Sequence, residues 1–356
     1  MRRFRFRDFI AACLLGVLPP AAGAAIDLRA ATVEQLDNGM TVILLEDRNF
    51  PVVSTQMLYR VGARNESFGQ TGIAHFLEHM AFRSSANFPD TGLVSSIYAV
   101  GGEWHGYTWT DETTYFATVP KEHADLLLRI EADRMARLDI AASDMEAERG
   151  AVLAEMHMYE NYPASMLIDA VMFASFQAHP YRNNTIGWES DIEGLTHEEV
   201  VAFYERHYNP ANAVLAVVGD FDRETVRARI AGLFGDIPGG TATPLPRTEE
   251  PRQQGERRVR LYSEQADSKR FLTAWRAPCR RSRPDYGGVP GFAGVLGSGL
   301  RRQFPPERLG HAGRCRRRPG RRRGERYDLV SAVGATLRVH GRRHGAGHGR
   351  RSRHRA

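Results

Sequence analysis

Residues 71 to 82 read TGIAHFLEHMAF and hold His75, Glu78 and His79 in the spacing His-x-x-Glu-His. A helix turns about 100° per residue, so over this stretch it would carry both histidines, i and i+4, on one face with Glu78 beside them. Two imidazoles on one face can share a tetrahedral zinc ion, and Glu78 would stand close enough to handle the proton of a bound water. The order is the mirror image of the commoner His-Glu-x-x-His zinc spacing. With 13 His and 24 Glu among 356 residues, the pattern arises by chance in roughly one such chain in thirty. A surface helix with two hydrogen-bonded histidines satisfies it as well, so a zinc site needs a third ligand from elsewhere in the chain.

Charge is unevenly placed. Residues 279 to 356 carry 21 Arg, no Lys and 4 acidic residues, or +17, whereas residues 1 to 278 carry 27 basic and 38 acidic groups, or −11. The net charge of +6 therefore belongs to the tail, and the acidic body argues against a nucleic-acid partner. Cys13, Cys279 and Cys315 are too few for a disulfide framework and form no Cys-x-x-Cys pair, so a metal site would use His and carboxylates. A content of 42% hydrophobic and 25% charged residues is globular, and the length accommodates two domains.

Residues 1–24 have an arginine-rich start, an apolar run from Phe9 to Leu18 and small residues at Ala22 and Ala24, the pattern of a cleaved secretory signal peptide. The expected location is periplasmic or secreted, with no membrane anchor. The turn Leu36–Gly39 leads into a strand over 41–46, and Val53, Thr55, Met57, Tyr59 and Val61 alternate as one face of a second strand. Residues 113–119 read as a further strand. Leu127, Ile130, Met135 and Leu138 mark a packed helix. Ser143 and Glu146 have capping-box spacing, which predicts a helix from there to about Glu160. Glu148 and Glu155, two turns apart, point the same way on it, with Gly150 tolerable if another element packs close. Thr196 and Glu199 predict another box, 213–218 a buried strand, and Asp222 a helix cap before Gly235. Residues 237–255 are rich in Pro, Gly and charge and read as a linker, with strands of a second domain at 258–263 and 271–275.

The segments GIAHFLEHMAF (72–82), DETTYFATVP (111–120), ERGAVLAEM (148–156) and HPYRNNTIGWESDIEGLTHEEVVAFYERHYNPANAVLAVVGDFD (179–222) together resemble the pitrilysin and insulinase family of zinc peptidases, which includes mitochondrial processing peptidase. The resemblance is continuous from about Val33 to Pro278. It implies an α+β fold of repeated domains, each an antiparallel sheet backed by helices. It also implies one Zn2+ per chain held by His75, His79 and Glu155, with Glu78 as the base and Glu148 supporting the site. Glu155 follows His79 by 76 residues, near the family's interval.

Two departures from the family pattern stand out. Where it has Asn-Ala-x-Thr or Asn-Gly-x-Thr on the strand that receives the peptide, this chain has His105-Gly106-Tyr107-Thr108, so His105, Gly106 and Thr108 are the candidate substrate-binding residues. After Leu300 the likeness is expected to stop: residues 301–356 hold 18 Arg and almost no apolar periodicity, as an out-of-frame reading of GC-rich DNA would. The expected organisation is a signal peptide at 1–24, a catalytic domain at 25–236, a linker at 237–255, a truncated or frameshifted second domain at 256–300, and a disordered tail at 301–356. The expected activity is zinc-dependent hydrolysis of unfolded or short peptides, aided by a homologous peptidase-like subunit or a second copy. The competing expectation is a zinc-binding subunit that cleaves nothing by itself.

Overall fold

The computed structural model describes residues 28–263, 269–277, 291–298 and 332–339. The expected signal peptide lies outside them. Described strands in the first part of the chain are β1 (Thr32–Gln35), β2 (Thr41–Glu46), β3 (Val52–Tyr59), β4 (Ser84–Ser85), β5 (Glu103–Thr108), β6 (Thr113–Pro120), β7 (Leu138–Asp139) and β8 (Ala213–Gly219). The helices are α1 (Ile73–Met80), α2 (Gly92–Ala99), α3 (Ala124–Arg137), α4 (Ala142–Glu160), α5 (Pro163–Ser175), α6 (Glu189–Gly194), α7 (His197–His207) and α8 (Arg223–Phe234).

Six strands make one sheet in the order β1-β2-β8-β3-β6-β5. β1 and β2 are a hairpin closed by the predicted turn, where Gly39 N–H donates to Leu36 O at 2.8 Å. β2 and β3 are consecutive in the chain, yet β8 lies between them, parallel to β2 and antiparallel to β3. The sheet is therefore mixed rather than purely antiparallel, because β8 returns only after α1 to α7, a connection long enough for a parallel crossover. Val53, Thr55, Met57, Tyr59 and Val61 do share one face, and none is more than 2% exposed. Val53, Met57, Tyr59 and Val61 pack with Phe76, Leu77 and Met80 of α1, Leu128 of α3, and Val152 and Met156 of α4 in one core.

Two of the predicted caps form. Thr196 and Glu199 make the reciprocal box that starts α7, and the Asp222 carboxylate accepts from Thr225 N–H at the start of α8. The box at Ser143 does not. α4 starts at Ala142 with Ala141 as its cap residue, which puts Ser143 inside the first turn, and Glu146 pairs with Arg149 at 3.2 Å instead. Gly235 ends α8 in a right-handed conformation, φ −58°, rather than the left-handed one that favours glycine.

A second sheet contains β9 (Arg257–Ser263), β10 (Arg270–Ala277), β11 (Gly291–Ser298) and β12 (Ala332–Val339), in the order β11-β10-β12-β9. Leu167 and Val171 of α5 pack on it against Leu272 and Ala274, so a helix of the expected catalytic domain backs the second sheet. β12 falls inside the stretch expected to be a disordered tail, and it pairs antiparallel with β10 and parallel with β9. The rest of 301–356 lies outside the described residues. Segment 237–255 carries no helix or strand, but it is tied down: Ala211 N–H donates to Gly239 O at 2.9 Å, and the Glu250 carboxylate accepts from the N–H groups of Gln177, Ala178 and His179. No helix among the described residues is long and apolar enough to cross a membrane.

Gly150 would be tolerable inside α4 if another element packed close there. Instead it is exposed, and a Cβ built there meets nothing within 4 Å. Gly150→Ala should therefore raise stability by about 0.4–1 kcal/mol, through lower entropy of the unfolded chain and better helix propensity. A urea titration checks this as a higher midpoint at unchanged slope; a lower midpoint would mean that Gly150 is packed against after all.

Candidate functional site

The site is built on α1, which is fixed at both ends. Gly72 precedes it at φ 87°, a left-handed conformation, and a Cβ there would come within 2.4 Å of Ile186 O. The Glu66 carboxyl accepts from Gly72 N–H at 2.9 Å and Ala74 N–H at 3.1 Å, and its burial raises it to about 8 against the lowering effect of these two bonds. Asp191 accepts from both the N–H and the hydroxyl of Thr71, at 3.1 and 2.6 Å. At the far end the buried Arg134, ion-paired with Glu131, donates from Nε to Ala81 O at 3.1 Å.

α4 lies against α1 and brings two carboxylates to its histidines. Glu155 Oε2 is 3.3 Å from His79 Nε2 and 3.7 Å from His75 Nε2. These three atoms all lie within 4.8 Å of one another, and they are the sole such group of three ligand-type residues among the described residues. Glu148, two turns earlier, holds the other face of His79, with its Oε2 2.9 Å from Nδ1. Arg83 donates to Glu148 Oε1 at 2.6 Å and fixes that carboxylate in turn. With Nδ1–H donating to Glu148, His79 would present the Nε2 lone pair to a metal once the proton that Nε2 shares with Glu155 has left, the orientation a metal-ligating histidine requires. Two imidazole nitrogens and a carboxylate oxygen converging on one small volume suit zinc.

Electrostatics follow from this crowding. Burial first, then the neighbouring charge of His79, pulls His75 down to about 4. Burial also works against a charged His79, but the hydrogen bonds to Glu148 and Glu155 overcome it and raise His79 to about 9. The same bond from His79 holds Glu155 below the usual carboxylate range, assisted by the Tyr159 hydroxyl one turn further along α4. Glu78 is 6% exposed, and its burial raises it while a hydrogen bond from Thr108 lowers it.

The three candidate substrate residues lie on both faces of β5. Alternation along β5, the edge strand of the sheet, points Gly106 and Thr108 towards α1 and His105 away from it. His105 is exposed and stacks on Phe116 with centroids 5.4 Å apart. Thr108 is buried, its hydroxyl donating to Glu78 Oε2 at 2.6 Å, so it serves Glu78 rather than facing solvent. Gly106 gives clearance: a Cβ there would come within 2.4 Å of Phe82 Cζ and 3.1 Å of Glu78 Oε1. Glu66, Asp191, Arg83 and Arg134 carry no sequence signal of their own, since each acts through tertiary hydrogen bonds, across 6 and 8 residues for Glu66 and across tens of residues for the other three.

Two family models match the chain: "Insulinase (Peptidase family M16)" over residues 41–188 and "Peptidase M16 inactive domain" over residues 194–329. The second match runs past Leu300, where the likeness was expected to end. The chain is 28% identical over 268 residues to the zinc protease PqqE of Helicobacter pylori, which covers 74% of this chain and 60% of that protein. It is 32% identical over 222 residues to an uncharacterized zinc protease of Mycobacterium leprae, covering 62% of this chain and 50% of that one. It therefore spans only about half to three-fifths of these relatives' length. The crystal structure of a protease from Helicobacter pylori superposes with a TM-score of 0.67 at 28% identity, over 71% of this chain and 62% of that one. The first half of the periplasmic protease PqqL from Escherichia coli shares the fold, with a TM-score of 0.63 at 21% identity over 70% of this chain and 55% of that one.

For the metal-free chain the His79 values have a definite sign. Its folded value of about 9 lies above an unfolded value of about 6.5, so the stability from its bonds is full below pH of about 6.5 and is lost as pH rises through about 9. NMR titration of the imidazoles should place His79 near 9 and His75 near 4, and Glu148→Gln should lower the His79 value. A His79 that titrates with the exposed histidines would contradict this geometry.

Proposed function

Since the chain belongs to the insulinase family, peptidase family M16, we propose that it is a zinc-dependent metalloendopeptidase acting on unfolded or short peptides. The observation that carries this reading is the convergence of His75 Nε2, His79 Nε2 and Glu155 Oε2, with the Glu78 carboxylate on the same helix. In the proposed site these three residues hold one Zn2+, which when bound would supply Lewis acidity and a water of lowered pKa.

Glu78 takes the proton of the attacking water on a carboxylate oxygen and later delivers it to the leaving amine. Glu148 keeps His79 in the tautomer whose Nε2 is free. The peptide adds to the open edge of β5 as an extended strand, its main chain pairing with β5 and every second side chain turned towards α1. Gly106 matters here because a side chain at that position would crowd Glu78. His105, on the opposite face, would meet the other set of peptide side chains.

The proposed setting is the periplasm. The proposed partner that completes the site is a homologous subunit or a second copy. The second reading is a zinc-binding subunit without cleavage of its own.

Glu78→Gln should retain one zinc per chain yet lower kcat on an unstructured peptide by about 10²–10⁴-fold, the usual share of general acid–base catalysis. Zinc analysis and peptide cleavage, alone and with a co-expressed homologous chain, check both readings. A Glu78→Gln protein that cleaves normally would overturn the peptidase mechanism. A wild-type chain that binds zinc and is inactive in both settings would favour the non-catalytic subunit.

A further inference from the structure

We propose that Thr108 is the positioning residue for the base: it pins Glu78 Oε2 and leaves Oε1 as the single oxygen that receives the proton. The inference rests on the reading of Glu78 as the base and adds to it which oxygen works and what selects it.

Thr108 ends β5 on the face turned to α1 and is 7% exposed. Its hydroxyl has one proton and two acceptors in range, Glu78 Oε2 at 2.6 Å and Thr113 Oγ1 at 3.5 Å. An ionised carboxylate can only accept, so the short bond must carry the Thr108 proton. Thr113 cannot turn its own proton towards Thr108, because it donates to Val61 O at 3.0 Å. The Thr113 bond to Val61 O therefore fixes the direction of the Thr108 bond from behind.

Glu78 Oε1 lies on the Gly106 side, where the missing side chain leaves it clear. No other group among the described residues donates to this carboxylate. The last torsion of a glutamate is broad and nearly two-fold, so without a donor the two oxygens interchange freely. One oxygen tied and one open converts that freedom into a fixed direction, which is the kind of preorganisation on which proton transfer depends.

Thr108→Val keeps shape and removes the donor, Thr108→Ala does so with less steric risk, and Thr108→Ser restores the hydroxyl. We expect Val and Ala to lower kcat on an unstructured peptide by about 10–100-fold, with KM within about two-fold and zinc content unchanged, and Ser to recover kcat to within about three-fold. Crystal structures of the metal-free variants should show the plane of the Glu78 carboxylate unchanged with Ser and rotated well short of the two-fold interchange, or smeared about its last torsion, with Val or Ala. A Val or Ala variant with wild-type kcat, or with Glu78 unmoved, would overturn the assignment. If the wild-type chain cleaves no peptide, the peptidase reading fails by itself, and the carboxylate orientations still decide whether Thr108 sets Glu78.

Discussion

The contact on which the site depends is the one between Glu155 Oε2 and the two Nε2 atoms of His75 and His79. It joins two helices distant in sequence, and the rest of the first domain serves to make that meeting reproducible. Val152 and Met156 of α4 share a core with Leu77 and Met80 of α1, so the helices are already in register where the polar groups meet. Because cores are packed at crystal-like density, a shift of one helix is resisted by its neighbours. Glu148 and Arg83 then orient His79 by hydrogen bonds and do not themselves enter the proposed ligand set.

The electrostatic character of the pair follows from the same contact. Two carboxylates around one imidazole favour its charged form against the cost of burial, while the second imidazole, deeper and with Nδ1 unpartnered, is driven neutral. The two histidines of one motif thus start from opposite protonation states. His75 is ready as a ligand, and the proton on His79 is the one that must leave before its Nε2 can bind a metal.

Much of this was legible in residues 71–82 and 148–155, because helical periodicity is local and three residue types at fixed spacing leave few alternatives. Strand faces were equally readable, as the buried set from Val53 to Val61 shows. What lay beyond sequence is what depends on tertiary contacts. The insertion of β8 between β2 and β3 cannot be read from either strand. Ser143 was misread as a cap because capping-box spacing also occurs when its first residue is already within the first turn of a helix, where Glu146 finds Arg149. That the Thr108 hydroxyl reaches Glu78 could not be read from its motif position, which says nothing about which way β5 faces. β12 was hidden by the arginines and glycines around its short apolar stretch.

The central claim is that His75, His79 and Glu155 are the ligands of one zinc ion. X-ray absorption spectroscopy of the zinc-loaded chain tests it most directly. The account predicts a four-coordinate site with two imidazoles and oxygen donors, metal–ligand distances of about 2.0–2.2 Å, and loss of half the imidazole signal in His79→Ala. A sulfur shell, an all-oxygen octahedral site, or a spectrum unchanged by His79→Ala would contradict it.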